Sequence, residues 1–174
     1  PIKYLILSDI HRDARSDDRG LFNVGSIDHF SEHSQLYLDI LNYADAQGYT
    51  VIEAGDGEEL WYIRDFSGYR GPAEHLEEIL VTHAPIYAKL ADMYQHGKYL
   101  RMIGNHDSYL RRPAVFSRLQ QRFPASDPAG RPFTLYDYII IDGVKTMDER
   151  GLVDLLRHDI WDGLTEEDKF KTII

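Results

Sequence analysis

Three short apolar runs of β type divide this chain, and each ends in a polar cluster. Tyr4-Leu5-Ile6-Leu7 leads into Asp9-Ile10-His11, Val51-Ile52 into Gly55-Asp56, and Leu100-Arg101-Met102-Ile103 into Gly104-Asn105-His106-Asp107. Residues 3–7 read as a strand buried on both faces, as in a parallel sheet. Between the runs the apolar pattern turns helical. From Asp28 to Gln47, Phe30, Tyr37, Ile40, Leu41 and Ala44 recur at helical spacings, and Gly48 supplies a stop. Pro72 suits the first turn of another helix, whose stripe runs from Leu76 to Tyr94 and ends at Gly97. Pro85 lies inside that stretch and predicts a break near Ala84.

Tyr49 to Ala54 and Tyr99 to Ile103 are the second and third strands, with a short helix expected over Pro113 to Phe123. Phe133 to Ile141 reads as a further strand, followed by the turn signal Asp142-Gly143. After Lys145 the chain reads helical, with Thr165 and Asp168 spaced as a capping box. Alternation of strand and helix implies an α/β fold with a mainly parallel sheet and right-handed crossovers. The expected organisation is one domain over 1–145 and a helical C-terminal segment over 146–174.

A length of 174 residues with 43% hydrophobic and 28% charged side chains fits a single globular domain. A net charge of −10 argues against nucleic acid as a partner, since phosphate backbones are held by clustered Lys and Arg. No apolar stretch is long enough to span a bilayer. The start Pro1-Ile2-Lys3 runs straight into a strand, leaving no room for a signal peptide, so a cytoplasmic location is the expectation. With no cysteine, thiolate metal sites are excluded.

Open α/β sheets bind ligands beyond the carboxyl ends of their strands. Asp9, His11, Asp56, Asn105, His106 and Asp107 all fall just past such ends. Their mixture of carboxylate, imidazole and amide oxygen suits Mn²⁺, Fe or Zn²⁺. A carboxylate between two cations can bridge them, which points to Asp56 on the central strand of the three. Two metals about 3.5–4 Å apart can share a hydroxide and clamp the oxygens of an in-line displacement at phosphorus.

Taken in this order, Asp-x-His, Gly-Asp and Gly-Asn-His-Asp resemble the motifs of the calcineurin-like metallophosphoesterases, over residues 2 to 145. The resemblance implies an αββα sandwich, with helices on both faces of the sheets, and a two-metal phosphoesterase. It assigns Asp9 and His11 to one metal, Asp56 to both and Asn105 to the second. It makes His106 the general acid, oriented by Asp107, and Mn²⁺ the expected metal. The stretch Gly55-Asp56-Gly57-Glu58-Glu59-Leu60-Trp61 further resembles the branch that contains UDP-2,3-diacylglucosamine hydrolase, where Gly-Asp-x-x-[Glu/Asp]-x-Trp is common. A small-molecule or lipid-linked phosphoester is therefore the expected substrate. The chain departs from the family in lacking the later His and Gly-His-x-His motifs, and His158 is its only histidine after His106.

The departure keeps a second reading open, a catalytically inert interaction module in the same fold. A third, a doubly wound domain matching by chance, loses its dinucleotide-binding version because no Gly-x-Gly-x-x-Gly follows the first strand. His29, His33, His75, His83 and His96 fall in helical segments and read as surface or core-edge residues. Trp61, Tyr62, Phe66 and Tyr69 either line a substrate pocket or cover the core beneath a loop.

Overall fold

A computed structural model describes residues 2–14, 30–61, 71–141 and 144–146. Three parallel strands, β1 (Lys3–Leu7), β2 (Tyr49–Ala54) and β3 (Tyr99–Met102), lie in the order β1-β2-β3. Lys3 pairs with Tyr49, and Val51 with Tyr99. The sheet is thus α/β in class, and Asp56 follows its central strand. Ile103 N–H donates to Tyr136 O and Tyr136 N–H to Arg101 O, so the chain near Tyr136 runs beside β3. Regular pairing in the expected 133–141 strand is confined to β4 (Ile139–Ile141), which forms an antiparallel hairpin with β5 (Val144–Thr146). Its register pairs Ile141 with Val144, and the expected Asp142-Gly143 turn lies outside the described residues. So does the C-terminal segment beyond Thr146, with its expected capping box.

Helix α1 (Ser34–Ala46) begins later than the periodicity suggests, behind a 3-10 turn over Ser31–His33. Gly48 ends it in the left-handed conformation, φ 73°. Helices α2 (Pro72–Thr82) and α3 (Ala84–Gln95) are separate because Pro85 has no N–H to continue the ladder and its ring would clash with the preceding turn. Helix α4 (Pro113–Gln120) follows β3. No helix among the described residues is long and apolar enough to cross a membrane.

The helices pack on one face of the sheet, where Val51 and Tyr99 join Leu41, Leu76, Leu80, Leu90 and Met93. A smaller cluster on the other face unites Ile52, Ala54 and Met102 with Tyr4, Leu100, Tyr136 and Ile139, and holds no helical member among the described residues. The expectation that β1 is buried on both faces is corrected. Among the described residues β1 has one neighbour, β2, and lies at the edge of the sheet, and Ile6 is 46% exposed.

Charge, not only apolar area, fills the helical side of the sheet. Glu53 in β2 and Arg101 in β3 are register partners, and both are buried. Arg12, from the loop after β1, donates from Nη1 and Nη2 to the two Glu53 oxygens at 2.6 and 2.8 Å, and from Nη2 to Glu58 Oε1 at 2.8 Å. Arg101 donates to Glu53, to Glu58 at 2.6 Å and to Asp107. The Tyr37 and Tyr99 hydroxyls complete the Glu53 shell at 2.6 and 2.8 Å, and the Tyr87 hydroxyl donates to Glu58 at 2.8 Å. Burial pushes each of these phenols up, so they stay protonated and act as donors.

Burial alone would raise the Glu53 carboxyl, but the two guanidiniums outweigh it and hold it far below the usual carboxylate range. A group lowered in the folded state stabilises above its unfolded pKa, and that contribution disappears as pH falls toward the folded value. Glu53→Gln turns one acceptor into a donor against Arg101 and Tyr99. We expect it to cost about 3–5 kcal/mol in urea unfolding at neutral pH. The gap between wild type and variant should narrow as pH falls below about 4.3.

Candidate metal centre

Three loops leave the sheet at one edge, and hydrogen bonds stitch them together. Ile10 and His11 N–H donate to Asp56 O at 3.1 and 2.9 Å, Arg12 N–H to Gly57 O at 2.8 Å, and Glu59 N–H to Arg12 O at 2.9 Å. His106 N–H donates to Asp56 Oδ1 at 2.8 Å, and Leu60 N–H to His106 O at 3.2 Å. Carboxyl ends of parallel strands thus bring 9–11, 56–59 and 104–107 within side-chain reach of one another.

Three of the expected ligand positions have left-handed backbones: Asp9 at φ 55°, His11 at 50° and Asp56 at 51°. Asp and His tolerate this conformation better than most residues, yet each such position costs on the order of 1–3 kcal/mol and persists only where the surroundings enforce it. Their clustering in one small region marks the strand ends as the place where side-chain direction outranks backbone comfort.

Ligand-capable atoms of Asp9, His11 and Asp56 all lie within 4.8 Å of one another. A second group, His11, Glu59 and His106, meets the same limit and shares His11 with the first. Asp9 is exposed and Asp56 is 9% exposed, so the cluster lies at the molecular surface with its floor closed. A set of carboxylates and imidazoles without thiolate fits a borderline to hard divalent cation. Asn105 is half-buried in the turn after β3, where its backbone carbonyl accepts from Ser108 N–H at 3.3 Å.

Asp107 takes another place than the adjacent His106 suggests. Its carboxylate is fully buried and accepts from Gly104 N–H at 2.6 Å, Gly57 N–H at 3.0 Å and Arg101. Burial pushes its carboxyl up to about 6, against the opposing pull of Arg101. The carboxylate that meets the His106 ring belongs to Glu59: Oε2 is 2.6 Å from His106 Nδ1 and 3.1 Å from His11 Nδ1. The two imidazoles stand edge to face at 4.5 Å, and Trp61 stacks on His106 at 4.1 Å. Trp61 therefore covers a site residue; Tyr62, Phe66 and Tyr69 lie outside the described residues.

Behind this layer sit two histidines that the sequence places at the surface or core edge. His75 and His83 are buried instead. His75 Nε2 lies 2.9 Å from Asp13 Oδ1 and 3.2 Å from Glu59 O, and His83 Nε2 lies 2.8 Å from Asp13 O. Burial disfavours a charge on His75, but the Asp13 hydrogen bond and charge outweigh it and lift its pKa above the ordinary imidazole value. The sequence held a signal for His75, which stands three residues after Pro72 and four before Ile79, on the buried stripe of its helix. Glu59 carried a signal only through its place in Gly-Asp-x-x-Glu-x-Trp.

Two glycines permit this packing. A Cβ at Gly104 would fall on Asp56 Oδ1 and N, and one at Gly57 on the Arg101 guanidinium. Gly104→Ala must displace Asp56, with an expected loss of about 1–3 kcal/mol in urea unfolding. Compared with known proteins, the chain matches no family model, no curated protein and no solved structure.

Proposed function

We propose that this chain is a metal-dependent phosphoesterase of αββα type that hydrolyses a phosphomonoester, phosphodiester or pyrophosphate. One observation carries the reading: Asp9, His11 and Asp56, from two separate strand ends, converge within 4.8 Å on left-handed backbones. Asp9 and His11 would hold one cation, Asp56 would contribute to both, and Asn105 would serve the second, with Mn²⁺ as the favoured ion and Fe or Zn²⁺ as alternatives. Divalent cations supply Lewis acidity toward phosphoryl oxygens and lower the pKa of water. Asp56 is fixed for this role by its contacts with Ile10, His11 and His106 N–H. His106 delivers a proton to the leaving-group oxygen and hydrogen-bonds the phosphoryl group. The Trp61 face supports a substrate with an apolar portion near the phosphate, such as a lipid-linked ester.

The inert-module reading has one observation in its favour, the single histidine that follows His106 in the sequence, His158. An elemental metal count on protein purified without chelator separates the two. Close to two ions per chain supports the enzyme, and none supports the module.

Aryl phosphate mono- and diesters assayed with added Mn²⁺ test the activity. Asp56→Asn should lose turnover and Mn²⁺ binding together; equal turnover by wild type and variant removes the proposal. His106→Ala should lower kcat by about 10²–10⁴-fold and leave bound metal in place. Loss of metal from that variant would move His106 from proton donor to ligand.

A further inference from the structure

His75, on α2, meets the loops that follow β1 and β2. Its side chain is 10% exposed, and that of Asp13 3%. His75 Nε2 lies 2.9 Å from Asp13 Oδ1, in the loop after β1, and 3.2 Å from the carbonyl of Glu59, in the loop after β2. Asp13 Oδ1 also accepts Ala14 N–H at 2.7 Å. The Asp13 carbonyl lies 2.8 Å from Nε2 of His83, the residue between α2 and α3. Two imidazoles thus join the α2–α3 corner to the back of the candidate site. Carboxylate and carbonyl oxygens only accept, so Nε2 of each ring keeps its hydrogen. The proton that His75 can gain or lose is then the one on Nδ1.

We propose that His75 and Asp13 form a proton-dependent latch, which as an ion pair fastens the α2–α3 corner to the loops after β1 and β2 and slackens when His75 becomes neutral. The latch goes beyond the proposed reaction and operates without metal or substrate. Desolvation favours the neutral ring of a buried histidine. Against it stand the Asp13 hydrogen bond and charge, the Glu59 carbonyl and the charge of Glu78, one turn further along α2. Together they outweigh burial, and His75 holds its proton more tightly than a free imidazole does. The other titratable neighbours are engaged elsewhere. His83 meets the Asp13 carbonyl, and the Glu59 carboxylate meets His106, His11 and Trp61 N–H. Loss of the His75 proton leaves the buried Asp13 carboxylate against a neutral ring, where a charge without a counter-charge is costly. A pKa raised by folding contributes stability that is complete below the unfolded value, about 6.5, and is lost as pH rises through the folded one. The latch is therefore closed in acid and slackens above the ordinary imidazole range. Its release acts on Asp13, two residues from His11, and on the backbone of Glu59, three residues from Asp56.

An NMR titration of the imidazole ring signals of the metal-free chain, with His75 assigned through His75→Gln, reads the first half of the proposal. His75 should titrate above the free-imidazole value, and Asp13→Asn should bring it down. Native-state hydrogen exchange of the Ala14 amide reads the second half, because that N–H shares Asp13 Oδ1 with His75. Its protection factor, corrected at each pH for intrinsic exchange, should fall between about pH 6 and 9 in wild type. In His75→Gln it should stay flat, since the Gln amide still offers Asp13 a donor but carries no titrating proton. A His75 that titrates at or below the free-imidazole value, as burial alone dictates, overturns the proposal whether or not Asp13→Asn folds. Equal loss of Ala14 protection in wild type and His75→Gln overturns it as well.

Discussion

The buried ionic network of Arg12, Arg101, Glu53, Glu58 and Asp107 is the interaction on which the rest of this structure depends. Each of the three strand-end loops contributes to it. Arg12 follows His11, Glu58 precedes Glu59, and Asp107 follows His106. Neighbouring residues thus divide the labour: one side chain faces the candidate site and the next anchors the loop to the core. Removing such charges from water is costly, and only dense mutual hydrogen bonding offsets it. Three acids against two guanidiniums leave an excess negative charge in a dry place. Burial first, and the neighbouring charge of Glu58 after it, push the Asp107 carboxyl up against the pull of Arg101. Nε of Arg12 and of Arg101 has no partner among the described residues, which is where the network is least well satisfied.

That anchoring explains how left-handed backbones at Asp9, His11 and Asp56 survive. Strain of this kind needs surroundings stiffer than the loop itself. Here the stiffness comes from the Arg12–Glu58 bridge, from Ile10 and His11 N–H on Asp56 O, and from His106 N–H on the Asp56 carboxylate. Gly57 and Gly104 belong to the same construction, because the space a Cβ would need is filled by Arg101 and Asp56. Asp13, His75 and His83 extend it outward and tie the junction of α2 and α3 to the back of the Glu59 loop.

Some parts missed by sequence reasoning had visible signals. Glu53 and Arg101 are charges inside runs that become β2 and β3, and a charge on a covered strand must find a partner. Their pairing across the register follows from parallel strands at matching depth. Other parts had none. Nothing in the adjacency of His106 and Asp107 reveals that their side chains part company, one toward Glu59 and the other toward Arg101. Likewise the edge position of β1 is a property of sheet order, to which its apolar run is blind.

The sequence by itself determined the alternation of strands and helices, the break at Pro85, the stop at Gly48 and the strand ends that carry polar clusters. These are local matters, set by side-chain periodicity, by the missing N–H of proline and by the freedom of glycine at positive φ. Which carboxylate meets which imidazole, which histidines are buried and which charges neutralise one another were decided only by tertiary structure. Apart from Arg101 with Asp107, these ionic pairings join residues more than forty positions apart, as His106 and Glu59 are, and depend on loop directions that the packed ionic core imposes.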